Sequence, residues 1–230
     1  MNKQLSALLV TLNLEVNDSH LIENAFVHRS YLNESKSFSN SNERLEYLGD
    51  AVLELATSHF LYNTYPDFQE GMLTNLRAAL VRTESLADTA ESLGFAKLLL
   101  MSKGEEATGG RENRSILADT FEAFLGAIYL DLDYETCVSI LSTHLFQKAE
   151  VVLKSATYKD NKSLLQEIAQ SRYKATPLYN LLSESGPDHD KKFVMQVVIG
   201  DQVYKEGSGK SKQTAQEDAA KNTLEMITRS

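Results

Sequence analysis

The sequence predicts two domains: an all-α domain over residues 1–154 and a smaller α-β-β-β-α domain over 161–230, joined by a linker at 155–160. Three observations point there. Up to Leu153, apolar residues recur at three- and four-residue intervals, the period of a helix buried along one side. Beyond it, β-branched and aromatic residues gather in runs that favour strands (Phe193, Val194, Val197, Val198, Ile199, Val203, Tyr204). The charge shifts at the same place: residues 1–158 carry 22 acidic and 12 basic side chains, residues 159–230 carry 10 and 11. The net charge of −9 therefore belongs to the first region. Taken over the whole chain it disfavours a polyanionic partner, but it says nothing against one for the second region.

With 42% hydrophobic residues in 230, the chain has enough apolar material for a sizeable core, which excludes general disorder. The single cysteine, Cys137, excludes an internal disulfide framework and a Cys-rich zinc module. It is compatible with a reducing cytoplasm, and Cys137 itself reads as a small buried hydrophobe.

Taken in order, the first apolar run is Leu5–Leu14, interrupted by Ser6, Thr11 and Asn13. It follows one lysine and has no small-residue cleavage site, so it does not read as a secretory signal. No stretch approaches the roughly 18 apolar residues that span a bilayer. A soluble, unprocessed, cytoplasmic chain is expected, with no membrane partner. Helical periodicity then covers His20–Leu32, Asn42–Tyr62, Gly71–Ser92, Ser115–Leu130 and Tyr134–Leu153. After the short polar stretch Lys154–Asn161 comes a helix at Lys162–Tyr173. Strands follow at 175–184 and 192–206, the second folded at the tight turn Gly200-Asp201, and the last helix is Lys212–Thr228.

The stretch NERLEYLGDAVLEL, 42–55, places Glu43, Glu46 and Asp50 at i, i+3 and i+7, so one helix face carries three carboxylates. Leu45, Leu48, Val52 and Leu55 mark a buried side, and Gly49 allows another backbone to come close. On spacing alone, a solvated acidic face is the favoured reading. The stretch SILADTFEAFLGAIYLD, 115–131, shifts that balance. It sets Asp119 and Glu122 among Ile116, Leu117, Phe121, Phe124, Leu125 and Ile128, in a helix apolar enough to be central. Acids there need partners, because an unpaired buried charge is expensive. If the two helices face each other, cations resolve both problems. Oxygen donors without His or Cys suit Mg²⁺, and such a site suits phosphodiester hydrolysis.

Between these stretches, KGEEATGGRENR, 103–114, matches no phosphate-binding or dinucleotide loop. It reads either as a mobile connection beside Asp119 that meets substrate or as an ordinary surface loop. In the second domain, Lys210 and Lys212 flank the start of the last helix, where free N–H groups also favour phosphate. Gln166 and Glu167 on its first helix, with His189 in the loop GPDHDKK, are placed to reach a shallow minor groove. Together with the α-β-β-β-α order, these point to a double-stranded RNA-binding domain.

The motifs carry a family resemblance. NERLEYLGDAV resembles the signature of ribonuclease III, usually written with Phe where this chain has Tyr47. HRSY at 28–31, EGMLTNLRAALV at 70–81 and ILADTFEAFLGAIYLD at 116–131 resemble further blocks of that family, and the last seventy residues resemble its RNA-binding domain. The match runs in order along nearly the whole chain and best fits the short two-domain bacterial type. The resemblance implies that Glu46, Asp50, Asp119 and Glu122 hold two Mg²⁺ ions, with Mn²⁺ able to substitute, and that Asp50 and Glu122 are catalytic. Glu43 and Glu70 match accessory acids. It implies a homodimer of the helical domain with Tyr47 at the interface, and cleavage of both RNA strands. The products would carry 5′-phosphates, 3′-hydroxyls and short 3′ overhangs. Ribosomal precursor processing and messenger turnover are the roles it implies.

One departure stands out. The last helix of such domains commonly starts KKxAK, whereas here Lys212 is followed by Gln213 and Gln216, which should weaken phosphate binding. The rival reading is a non-catalytic double-stranded RNA-binding regulator, which loss of any of the four metal-site acids would favour; none is lost. A His-Asp phosphohydrolase is disfavoured because the one such pair, His189-Asp190, falls in the strand-rich region. His59 and His144 read as ordinary helix residues, and His28 as the maker of a structural hydrogen bond.

Overall fold

The computed structural model describes residues 3–155, 161–187 and 191–228. The chain divides into two compact units, residues 1–158 and 159–230. The expected linker lies outside the described residues apart from Ser155, and His189 lies outside them as well. No helix among the described residues is long and apolar enough to cross a membrane.

The first unit is all-helical: α1 (Lys3–Thr11), α2 (Ser19–Asn24), α3 (Glu43–Thr64), α4 (Glu70–Val81), α5 (Thr83–Ser92), α6 (Lys103–Ala107), α7 (Arg114–Asp131), α8 (Tyr134–His144) and α9 (Lys148–Ser155). The apolar SILADTF segment becomes the centre of the unit. Ten of the 18 residues of α7 are buried. Its Phe121 and Phe124 meet Phe26 and Phe95 in an aromatic core, with Phe26 and Phe95 edge to face at 5.0 Å. Asn113 starts α7 by accepting the N–H groups of Ser115 and Ile116. Arg114 then ties α7 to α5 through Glu84, Asp88 and Glu91.

The contact between α3 and α7 sets everything that follows. A Cβ on Gly49 would lie 1.8 Å from the carbonyl oxygen of Glu122, and one on Gly126 would lie 2.2 Å from that of Leu45. The helices thus cross backbone against backbone, and only glycine fits at either point.

Several boundaries differ from the periodicity. Gly71–Ser92 is two helices, because Arg82 turns extended (φ −63°, ψ 151°). Tyr134–Leu153 breaks at Leu145–Gln147, where Leu145 and Phe146 are buried in the core. The region His20–Leu32 is helical only to Asn24. Val27 then bridges to Leu100, and a short 3₁₀ turn occupies 29–33. The Leu5–Leu14 run supplies α1, which buries Leu5, Leu8 and Leu9. The segment 103–114 is not a mobile connection. It folds as α6 and a 3₁₀ turn at 110–112, braced by Arg111, which donates to the carbonyls of Ala96 and Leu99 and to Glu106.

The second unit is α10 (Asn161–Tyr173), β1 (Leu178–Ser185), β2 (Lys192–Ile199), β3 (Gln202–Gly209) and α11 (Lys212–Thr228), with an antiparallel sheet in the order β1-β2-β3. On β2, Met195, Val197 and Ile199 point inward at the two-residue strand period. Val197 and Ile199 form a core with Leu165, Ala169, Ala219, Ala220, Leu224 and Ile227, so both helices cover one face. Gly200, at φ 60°, makes the tight β2–β3 turn. Strand β1 begins at Leu178 rather than 175, following Pro177, which has no N–H to donate to a ladder.

Candidate active site

The backbone crossing at Gly49 and Gly126 carries three acids together. Glu46 lies one turn before Gly49 on α3, and Glu122 and Asp119 lie one and two turns before Gly126 on α7. One carboxylate oxygen from each of Glu46, Asp119 and Glu122 lies within 4.8 Å of the others. Glu46 and Asp119, with Glu43, Asn42 and His28, line a cavity of about 370 Å³.

These acids are held against their preference for water. Burial, then the charges of Asp50, Asp119 and Glu46, pushes the Glu122 carboxyl up to about 8. Glu46 is raised by burial and then by Asp119, Glu43 and Asp50. Asp119 is raised by burial, with His28 acting in the opposite direction. Like charges this close favour protonation unless a cation is present. The donor set is all carboxylate, which fits a hard divalent cation.

The remaining candidates fall at different distances from this centre. Asp50 is exposed on α3 one turn beyond Glu46; it stands outside the three-acid group, although its charge reaches Glu122. Glu43 sits at the cavity mouth, accepting from Ser41 Oγ at 2.9 Å and lying 3.7 Å from the Arg29 guanidinium. Glu70 is not brought there by this chain's own fold. It opens α4, accepts from Thr74 Oγ1 at 3.2 Å and lines a different groove with Leu55, Tyr62 and Arg77. That groove, about 810 Å³, is mostly apolar. Around it α3 leaves Leu55 and Tyr62 exposed at 60% and 71%, and nearer its start Tyr47 at 83%.

In the second unit, Lys210 and Lys212 are exposed at the start of α11, where Ser211 Oγ accepts the Thr214 N–H at 3.1 Å. Gln166 and Glu167 are exposed on α10. Gln216, one of the departures from the lysine-rich pattern, accepts a hydrogen bond from Lys162 Nζ at 2.8 Å, and that ammonium also sits 5.3 Å from the Tyr179 ring.

Comparison with known proteins agrees with this arrangement. A family model described as ribonuclease-III-like matches residues 18–149, and one for the double-stranded RNA binding motif matches residues 161–227. The chain belongs to the ribonuclease III family. It is 48% identical to Ribonuclease 3 of Syntrophobacter fumaroxidans over 97% of this chain and 94% of that one. With Ribonuclease 3 of Natranaerobius thermophilus it shares 45% identity over 92% of each. Among solved structures, the nuclease domain of ribonuclease III from Campylobacter jejuni, reported with structural flexibility in a region involved in dimer formation, is 41% identical. It covers 61% of this chain and 94% of its own, with a TM-score of 0.56. This member of the ribonuclease III family is thus an endoribonuclease of double-stranded RNA, with the family's helical nuclease domain followed by its RNA-binding domain.

The sequence marks His28 only as the maker of a structural hydrogen bond. That bond exists, to Ser30, but the ring also lines the acidic cavity. Asn42 is likewise a cavity residue; its Nδ2 donates to the carbonyl of Ala25 at 3.2 Å. The motifs HRSY and NERLEYLGDAV contained both residues, yet nothing in their spacing placed them together.

Proposed function

We propose that this chain is a Mg²⁺-dependent endonuclease that hydrolyses both strands of duplex RNA as a homodimer. The observation that carries the reading is the approach of Glu46, Asp119 and Glu122 oxygens to within 4.8 Å at a glycine-only helix crossing. In the reaction, a water oxygen attacks phosphorus and the bond to O3′ breaks. The departing oxygen takes up a proton, leaving a 5′-phosphate and a 3′-hydroxyl. Glu46, Asp50, Asp119 and Glu122 would hold two Mg²⁺ ions per site, which would supply charge neutralisation and activation of the attacking water. Mn²⁺ is expected to substitute.

The chain's own residues do the positioning. Glu46, Asp50, Asp119 and Glu122 are the proposed ligands, with Asp50 and Glu122 proposed as the catalytic pair. Glu43 orders the cavity mouth. Residues 161–230 grip the duplex, with Lys210 and Lys212 on phosphates and Gln166, Glu167 and His189 toward the minor groove. The exposed strip of Tyr47, Leu55 and Tyr62 supports a dimer through residues 1–154, and Glu70, beside that strip, is assigned an accessory role there. Two sites acting on opposite strands leave short 3′ overhangs. We place the protein in the cytoplasm, acting on ribosomal precursors and messengers.

Purified protein incubated with long duplex RNA and matched single strands, in Mg²⁺ and in EDTA, tests this on a denaturing gel. Mg²⁺-dependent shortening of the duplex alone, to products with 5′-phosphates, is expected. Duplex that is bound but left intact would instead favour a non-catalytic RNA-binding regulator.

A further inference from the structure

We propose that His28 is a catalytic residue that donates a hydrogen bond from its Nε2–H to a non-bridging oxygen of the RNA phosphate entering the acidic cavity. This rests on the reading of that cavity as the cleavage site. The argument begins at the other ring nitrogen. The backbone N–H of Ser30 points at Nδ1 from 3.3 Å, and a backbone N–H can only donate. Nδ1 is therefore an acceptor, and the ring's proton sits on Nε2. Ser30 Oγ, 2.8 Å from the same nitrogen, receives the Ser102 N–H at 3.0 Å, which leaves its own proton available to Nδ1.

The backbone that carries the ring is also fixed in place. His28 N–H donates to the carbonyl of Leu100 at 2.9 Å, and its own carbonyl accepts from Tyr31 at 2.9 Å. The preceding residue, Val27, accepts from the N–H of Asn42, just ahead of α3, at 2.9 Å. Position and tautomer are thus set by groups that are not the carboxylates.

Nε2 has no hydrogen-bond partner among the described residues, although the half-buried residue lines the cavity with Asp119. The cavity's other titratable residues are acids, apart from Arg29, which is largely exposed and lies 3.7 Å from Glu43. A phosphate moving in among carboxylates meets repulsion. A preorganised donor on that wall offsets it.

The test uses the full chain and three variants. His28→Asn keeps an acceptor where Nδ1 stands but falls short of the cavity. His28→Gln reaches to the Nε2 position with an N–H, and His28→Ala removes both functions. For His28→Asn, single-turnover cleavage should fall about 100-fold, while duplex affinity in EDTA and Mn²⁺ affinity by electron paramagnetic resonance stay within about twofold. His28→Gln should recover about tenfold of a comparable loss in His28→Ala.

Wild-type cleavage by His28→Asn overturns the proposal. So does weakened Mn²⁺ binding in that variant, which would put the residue's action on the carboxylates rather than on RNA. A His28→Gln variant as slow as His28→Ala at equal melting temperature overturns it independently of whether His28→Asn folds. A wild-type chain that neither binds Mn²⁺ nor cleaves duplex RNA overturns the underlying reading, and the proposal with it.

Discussion

Both units of this chain contain a place where two elements touch backbone to backbone, and the two contacts do opposite things. In the first unit α3 and α7 meet at Gly49 and Gly126. In the second, β3 meets α11 at Gly207, where a Cβ would lie 1.9 Å from the nitrogen of Ala219. The second contact closes a neutral core of Val197, Ile199, Ala219, Ala220 and Leu224, and its ionised side chains remain outside. The first contact drives carboxylates together, so that Glu122 is pushed up to about 8. Close approach stabilises one unit and concentrates like charge in the other. A fold that accepts such repulsion is arranged for a cation.

The largest expected effect comes from the charge itself. Glu122→Gln keeps the shape of the side chain and removes a carboxylate from the three-acid group. Cleavage measured in single turnover should fall by orders of magnitude while duplex binding, measured by filter retention, is kept. A variant as active as the parent would remove the acidic centre from the mechanism.

The crossing glycines sharpen the contrast between units. Gly49→Ala forces α3 and α7 apart and should cost about 3 kcal/mol or more, with loss of cleavage. Gly207→Ala should destabilise the second unit by a similar amount and weaken duplex binding, yet leave cleavage at low salt and high Mg²⁺. Separate calorimetric transitions for the two units, with each substitution moving one, would bear this out. Equal loss of cleavage in both would mean the units act as one.

A smaller effect follows from the titration of Glu122. Its carboxyl is raised from the ordinary value of 4.5 to about 8 in the fold, so the folded state favours the protonated form. The stabilising contribution is fully present below about pH 4.5 and is lost as pH rises through about 8. In EDTA the melting temperature should therefore fall across that window from this group. Mg²⁺ should raise it more at pH 8 than at pH 5.5. Glu122→Gln should flatten the EDTA profile, with each kcal/mol relieved at pH 8 worth about 2–4 °C. A Mg²⁺ effect independent of pH would separate the ion from these acids.

The smallest effect belongs to the second unit's surface. Lys212→Ala should weaken binding to duplexes of different sequence alike and lower the salt slope of log K by about one, read in titrations at several ionic strengths. A loss confined to one sequence would mean that Lys212 reads more than the backbone.

The sequence by itself determined the helical first domain, the strand-rich second one and the carboxylate stripes. These follow from periodicities of three to four residues or of two, which are local. It also marked Gly49 as a point of close approach, and the motifs were specific enough to name the family. The tertiary structure decided which of the marked residues meet. Glu46 joins Asp119 and Glu122, Asp50 on the same stripe stands outside their group, and Glu70 faces a separate groove. Arg111 and Arg114, in a segment that the sequence leaves open between a mobile connection and an ordinary surface loop, are engaged with neighbouring carbonyls and acids. The helix break at Arg82 carries no Gly or Pro signal. Nor could the spacing of HRSY show that Ser30 and Ser102, 72 residues apart, would orient the His28 ring in the acidic cavity. The physical reason is the same each time. A periodic pattern specifies the face of one helix, whereas a site depends on where two faces cross, and that is settled by packing between residues far apart in the chain.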